Sequence, residues 1–201
     1  NDPRIGRWWS IDPKMQKYPS ISPFISMNNN PIIYTDKLGD EITEEATKNL
    51  VLPVMNEFES QISNIENKLK SDDLSPEERN EYQNKLNKLN TEYDTYISEI
   101  TQMELSDVVY DFGGYLDPNY PGDDGRIYVD TDADMLTVKI KVKPGKAGII
   151  RGAHELKHGF QFEIGAISFA AEGRLAGFLY DAVDELEAFA RYNLLGGDGP
   201  Y

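Results

Sequence analysis

Apolar residues in the middle of the chain recur with the period of a helix surface. The pattern predicts a first helix from about Glu44 to Lys70, with an irregularity near Pro53 because proline has no backbone N–H to donate. Its apolar stripe consists of residues spaced three or four positions apart, namely Ile62, Ile65 and Leu69. Such a helix must pack this stripe against another element.

A second helix is predicted to begin at Ser75. This residue is a good N-cap, Pro76 suits the first helical position, and Glu78 completes a capping box. The short link between the helices favours an antiparallel hairpin over residues 43–105. Since its outer faces are charged, we interpret the hairpin as a solvated structural element, with a partner-binding arm as the alternative.

The pattern changes again in the last part of the chain. The sequence of residues 125–130 predicts one strand. Residues 136–143 alternate between apolar and polar, which predicts a second, half-exposed strand. Helical spacing returns over about 149–162 and about 181–195, and a glycine pair ends the last helix. Together these elements predict an α+β fold.

Residues 1–42 follow neither period. They are rich in proline, asparagine and serine, with large aromatic side chains scattered among the turns. Because proline removes donors and biases the residue before it away from helix, we expect extended chain and turns that dock on something larger. We divide the chain into this irregular segment (1–42), the helical hairpin (43–105) and an α+β domain that carries the chemistry (106–201). We expect the whole to be part of a longer polypeptide.

The formal net charge of −15 narrows the possible partners. An acidic field repels phosphate, so it argues against nucleic acid and leaves room for a cationic substrate or partner. The chain contains no cysteine, so thiolate metal ligands are not available to it. No apolar run reaches transmembrane length, so we expect no membrane insertion.

Both histidines of the chain lie in the sequence His154-Glu155-Leu156-Lys157-His158. Positions i and i+4 share a helix face, so both imidazoles can bind one metal ion. Glu155 then lies beside the open position of the metal, where it can accept a proton from bound water. This H-E-x-x-H pattern predicts a catalytic metal site. The alternatives are an exposed histidine pair without metal and a metal site without catalysis.

A catalytic zinc site usually has three protein ligands and a water, and the chain has no third histidine and no cysteine. The third ligand must therefore be an oxygen donor, and the last helix is rich in carboxylates. We predict Glu185, because the small Ala188 one turn later lets two helices approach closely, with Glu187 as the alternative. Asp184 or Asp181 could accept the second N–H of a ligand histidine.

In a mechanism of this type, hydroxide attacks a carbonyl, and the resulting tetrahedral oxyanion needs a donor besides the metal. Arg174, Tyr180, Arg191 and Tyr192 are near enough in sequence to be considered, and the sequence does not decide among them. The acidic run over 123–134 raises a calcium alternative. It lacks the ligand spacing of a helix–loop–helix calcium site, so we interpret it as a turn and a solvated strand end.

Two stretches near the N-terminus, residues 2–13 (DPRIGRWWSIDP) and residues 29–40 (NNPIIYTDKLGD), resemble the signature that ends the core of Rhs/YD-repeat proteins. Proteins of this family are polymorphic toxins in which a β-repeat shell encloses a variable C-terminal toxin. The resemblance implies an Rhs carrier shell and a cognate immunity protein as partners.

In many members of that family the shell cleaves the toxin off just after the signature, using aspartates of the signature. The resemblance therefore implies a junction near Gly39-Asp40-Glu41, with Asp12 and Asp36 as candidate participants. This chain departs from the usual family form, Asp-Pro-x-Gly, because Lys37 stands where the family has proline.

Residues 149–195 resemble the zincin metallopeptidases, and specifically the H-E-x-x-H toxin domains found at Rhs C-termini. The stretch 153–162 (AHELKHGFQF) and the stretch 184–188 (DELEA) carry the resemblance. Zincins with a downstream glutamate ligand commonly have a small residue three positions after it, and this chain fits that pattern.

The zincin resemblance implies a zinc ion held by His154, His158 and Glu185, with Glu155 as the catalytic base. It also implies a zincin-like fold in which the motif lies on an active-site helix beneath a small sheet. The segment 136–143 is then expected to be the sheet edge that holds an extended substrate by β-addition.

The sequence thus predicts a zinc-dependent metallopeptidase toxin released from an Rhs-repeat carrier. We expect it to be secreted, or delivered into a target cell as the C-terminal part of a larger bacterial protein, and to cleave a protein or peptide there. The alternative is a non-catalytic zinc-containing effector that binds its target through the helical hairpin. The acidic charge and the absence of further histidines disfavour a nuclease.

Overall fold

The computed structural model describes five segments of the chain, residues 42–119, 124–130, 132–133, 136–169 and 182–200. Their helices and small mixed sheet confirm the predicted α+β class. Within these segments no helix combines the length and the apolar character needed to span a bilayer. The N-terminal signature, with Asp12, Asp36 and the expected cleavage junction, lies outside them.

Three consecutive helical pieces form the first arm of the hairpin. A short helix α1 (Glu44–Ala46) leads into a π-helical turn (Thr47–Val51) and then into helix α2 (Leu52–Leu69). Pro53 stands at the start of α2 and has no N–H to close an ordinary helical hydrogen bond to the preceding turn. The irregularity predicted near this proline is therefore confirmed as a π-helical turn.

The second arm is helix α3 (Pro76–Met103), and it begins as predicted. The Ser75 hydroxyl accepts a hydrogen bond from the Glu78 N–H at 3.2 Å, and the Glu78 carboxylate accepts one from the Ser75 N–H at 2.9 Å. Across the connection, the Arg79 guanidinium donates to the Leu69 carbonyl at 2.8 Å, which closes the hairpin turn. The capping box thus fixes where the chain turns back.

The sheet contains strands β1 (Val109–Tyr115), β2 (Gly125–Asp130) and β3 (Thr137–Val142) in the order β1-β3-β2. Strand β3 pairs parallel with β1 and antiparallel with β2. Both strands predicted from the sequence are present, whereas β1 was not predicted. The expectation that 136–143 forms a sheet edge is wrong, because β3 has a hydrogen-bonded strand on each side.

Helices α4 (Lys146–Glu163) and α5 (Ala182–Leu194) complete the described fold, close to their predicted bounds. The turn from β3 into α4 requires a glycine at Gly148, since a Cβ there would lie 1.6 Å from the Lys143 carbonyl oxygen. Gly196, with a φ of 97°, follows α5 in the left-handed conformation that ends many helices.

One hydrophobic core joins the hairpin, the sheet and α4. The hairpin supplies large side chains, and the sheet and α4 supply mainly aliphatic ones. The core residues from these elements include Phe58, Leu89, Tyr96, Met103, Tyr110, Val138, Ile140, Ile150 and Leu156. Because the helix with the H-E-x-x-H motif packs on the hairpin as well as on the sheet, the hairpin supports the candidate site.

Candidate metal centre

His154 and His158 lie on one buried face of α4, as the i, i+4 spacing predicts. Their Nε2 atoms are 3.1 Å apart, and the two rings meet edge to face. The side chain of Phe189 from α5 packs on the His154 ring with centroids 4.5 Å apart. Both imidazoles are thus held by packing with their Nε2 atoms directed at one point.

Glu185 on α5 brings a carboxylate oxygen to the same point. Its Oε2 lies 3.5 Å from Nε2 of His154 and 3.8 Å from Nε2 of His158. Ala188, one turn further along α5, is completely buried, so the small residue lies at the helix interface where close approach was expected. These three side chains could together hold a metal ion, and no second group of this kind occurs in the segments described.

The Oε2 atom of Glu185 is buried and accepts no hydrogen bond from the described residues. A buried carboxylate oxygen without a donor costs free energy, and a cation at this point would compensate it. The orphaned oxygen, directed at two imidazole nitrogens, is therefore a structural sign that the cluster suits a cation.

The ionisation of the two histidines differs. Burial, the positive Arg151 and the neighbouring His158 lower the pKa of His154 to about 2. For His158, burial acts in the same direction, but the Glu185 and Glu155 carboxylates and a hydrogen bond to Gln161 outweigh it and raise its pKa. His154 is therefore neutral, which is the form that binds metal ions.

Glu187, the alternative third ligand, points elsewhere. Its carboxylate accepts a hydrogen bond from Gln161 at 3.2 Å and lies 3.3 Å from the Lys157 ammonium. Asp184, predicted to support a histidine, offers its backbone carbonyl to Gln161 at 3.1 Å. Asp181 lies outside the described residues.

Glu155, the predicted base, is buried and held by a residue that the sequence analysis missed. The Arg151 Nε donates to its Oε1 at 2.9 Å, one helical turn earlier. Burial raises the pKa of Glu155, and the Arg151 charge opposes the increase. Gly125 at the start of β2 covers the pair so closely that a Cβ there would lie 2.9 Å from Oε1 of Glu155. The i−4 spacing of Arg151 was the signal that could have identified this partner.

Gln161 is the second functional residue that the sequence analysis missed. Its side chain is 2% exposed and lies 2.7 Å from Nδ1 of His158. Its position three residues after His158 puts it on the same helix face, which is the sequence signal for the contact.

The residues considered as oxyanion donors fall into three groups. Arg191 is buried and donates to Glu92 and Glu99, so its guanidinium is committed to the interior. Tyr192 packs near the His154 ring, with centroids 6.3 Å apart. Arg174 and Tyr180 lie outside the segments described.

The acidic run forms ion pairs at the ends of the strands. The Lys139 ammonium lies 2.7 Å from Asp130, and the Lys143 ammonium lies 2.8 Å from Asp124. Of the acidic residues considered for calcium, Asp123 and Asp134 lie outside the described segments.

Comparisons of the chain with family models, with curated proteins and with solved structures found no match.

Proposed function

We propose that this chain is a zinc-dependent metallopeptidase. The observation that carries the proposal is the convergence of His154, His158 and Glu185 on one point, with Glu155 on the same helix as the histidines. Two imidazoles and one carboxylate are a donor set used by catalytic zinc sites in peptidases, which leave a fourth position for water.

The spacing of the ligand atoms suits zinc. The three separations are 3.1 Å between the histidine nitrogens, and 3.5 and 3.8 Å from these nitrogens to Oε2 of Glu185. A triangle with these sides has a centre about 2.0 Å from every corner, which is the length of zinc bonds to nitrogen and oxygen in proteins. Calcium and magnesium prefer all-oxygen sites, so the two imidazoles disfavour both.

When bound, zinc would polarise the substrate carbonyl and lower the pKa of the attacking water. Glu155 is the residue that accepts the proton of that water and returns it to the leaving amine. Arg151 holds Oε1 of Glu155 at 2.9 Å, which fixes the rotamer of the carboxylate and leaves Oε2 for the proton.

The fold around the site supports a zincin-like arrangement. Helix α4 packs against the sheet, and β2 begins with Gly125 in close approach to Glu155. Strand β2 pairs with β3 on one side, and the described residues place no strand on its other side. We therefore assign to β2, rather than to β3, the edge on which an extended peptide would lie.

We further propose that the peptidase is toxin cargo of an Rhs-repeat carrier and acts on a protein or peptide after secretion or delivery into a target cell. The support is the resemblance of residues 2–13 and 29–40 to the signature that closes an Rhs shell. A carrier shell and a cognate immunity protein follow as partners from this proposal.

The test compares Glu155→Gln with the wild-type protein and with Glu81→Gln, which makes the same change at an exposed position of α3. We expect about one zinc per chain in all three proteins by metal analysis. Proteolysis and toxicity should be lost only in Glu155→Gln, since the amide cannot take up a proton. Undiminished activity in Glu155→Gln would overturn the catalytic proposal.

Burial of the site favours a second candidate, a metal site without catalysis. His154, Glu155 and His158 are each 1–3% exposed, as is usual for structural metal sites. In this case zinc would stabilise the fold, and the chain would act by binding through its hairpin. The same three proteins separate the candidates, because a binding effector keeps its toxicity in Glu155→Gln, whereas a peptidase loses it.

A further inference from the structure

We infer that Gln161 is the positioning residue of the metal centre, holding His158 in the tautomer and orientation that metal binding requires. The inference rests on the metal site of the proposed function and adds a residue that the H-E-x-x-H pattern does not contain. It does not depend on catalysis.

The orientation of the Gln161 amide is fixed from the α5 side. Its Nε2 lies 3.1 Å from the Asp184 carbonyl oxygen and 3.2 Å from the Glu187 carboxylate. Both neighbours are acceptors only, so the amide nitrogen must face them. The amide oxygen then faces α4, where it lies 2.7 Å from Nδ1 of His158.

That arrangement determines which ring nitrogen of His158 carries the proton. An amide oxygen can only accept, so Nδ1 of His158 must carry the proton and donate it. In the neutral ring, which is the form that binds a metal ion, Nε2 then keeps its lone pair, and it is Nε2 that lies with His154 and Glu185 at the candidate site. A hydrogen bond to the remote ring nitrogen of a ligand histidine fixes its tautomer and raises its basicity.

The same side chain joins the two helices that supply ligands. His158 belongs to α4, whereas the Asp184 carbonyl is next to Glu185 on α5. Gln161 is 2% exposed, so water does not compete effectively for its hydrogen bonds. One buried amide therefore links the orientation of the second histidine to the position of the carboxylate ligand.

Zinc affinity of the full chain, measured by competition with a chelating indicator, tests the inference. Gln161→Met keeps the length of the side chain and removes its hydrogen bonds to His158, Asp184 and Glu187, so we expect a loss of about 10- to 100-fold. Gln61→Met is the matched control, since Gln61 donates to the Leu195 carbonyl just after α5 and does not contact His158.

A second readout responds to ligand geometry and not to stability. The visible absorption spectrum of the cobalt-loaded protein should change in Gln161→Met and remain that of wild type in Gln61→Met. Nitrogen NMR of the zinc-loaded wild type should show the proton of His158 on Nδ1, and this measurement decides the matter if Gln161→Met fails to fold. A proton on Nε2 would overturn the inference.

The inference is also wrong if Gln161→Met binds zinc as tightly as wild type. Equal losses in Gln161→Met and Gln61→Met would overturn it as well. These failures leave wild-type zinc binding and proteolysis intact and so differ from failure of the proposed function. Conversely, the wild-type protein could bind zinc and cleave no peptide. Weaker zinc binding by Gln161→Met would then still support the inference, and only the proposed peptidase activity would be contradicted.

Discussion

The Arg191 guanidinium donates to the Glu99 carboxylate at 2.6 Å in the protein interior, where both side chains are almost completely buried. The second oxygen of Glu99 accepts a hydrogen bond from Lys157 at 2.7 Å, and Lys157 lies within the H-E-x-x-H motif itself. Glu99 thus ties the last helix and the motif helix to the hairpin. The position of the helix that carries Glu185 depends on residues far from the motif.

Replacing Glu99 by alanine should destabilise the metal-free protein by about 2–4 kcal/mol, because two buried cations lose their buried partner. Each cation keeps only a more exposed carboxylate, Glu92 for Arg191 and Glu187 for Lys157. Urea unfolding measures the change. The matched control is Glu92→Ala, which removes a second, more exposed partner of Arg191 at 2.7 Å and should cost about 1 kcal/mol or less. Equal stability of the Glu99 variant and wild type would contradict a supporting role for the hairpin.

Replacing each of the two candidate third ligands by alanine should show, from the loss of zinc affinity, which of them binds the metal. Glu185→Ala removes the oxygen that faces both histidines, and we expect zinc binding to weaken by more than about 100-fold. Glu187→Ala removes a carboxylate that contacts Lys157 and Gln161, so the loss should stay below about tenfold. Calorimetric titration of both variants measures the difference, and the reverse order of affinities would assign the ligand to Glu187.

Gly125→Ala should disturb the pair formed by Arg151 and Glu155 directly. A Cβ at this position would lie 2.7 Å from Cγ of Arg151 and 2.9 Å from Oε1 of Glu155, so one of these side chains must move. We expect a cost of about 1–3 kcal/mol in stability and a loss of proteolysis, with zinc binding retained because no ligand is displaced.

Gly152→Ala is the control for this substitution, since its Cβ would meet neighbours at 3.7 Å or more. Alanine in a helix is favoured over glycine, so this variant should gain about 0.5–1 kcal/mol. Thermal unfolding and a peptide-cleavage assay on both variants compare the two outcomes. Unchanged cleavage by Gly125→Ala would show that the close approach of β2 does not matter for Glu155.

The free energy of unfolding should fall steeply above pH 10. Burial raises the pKa values of Tyr96 and Tyr110 far above the usual value for tyrosine, whereas the unfolded chain releases these protons near pH 10. Above that pH the folded state binds more protons than the unfolded state, so stability present below pH 10 is lost as the pH rises. Each buried tyrosine contributes up to about 1.4 kcal/mol per pH unit.

Urea unfolding at pH 8 and at pH 11 measures this loss. Tyr96→Phe should lose less stability between the two values than wild type, because it has one titrating group fewer. The substitution also removes the hydrogen bond to the Val51 carbonyl at 3.1 Å, so only the difference between the two pH values is compared. An identical pH dependence of both proteins would contradict the role of Tyr96.

Local patterns in the sequence were sufficient where the physics is local. The capping box at Ser75 and Glu78 needs only residues of one turn, and its hydrogen bonds formed as predicted. The placement of His154 and His158 on one face follows from helix geometry alone. Strand β1 was missed because its two glycines, at 113 and 114, interrupt the alternation that marks a strand.

The sequence by itself therefore determined the α+β class, the helix that bears both histidines and, for the proposed metal site, the need for a carboxylate as third ligand. Only the tertiary structure decided that β3 is central, that Glu185 and not Glu187 faces the histidines, and that Gln161 and Arg151 hold the residues of the motif. The reason is physical. Helix periodicity fixes which face a side chain occupies, whereas the contacts between α4, α5 and α3 depend on packing and buried charge pairs between residues far apart in the chain.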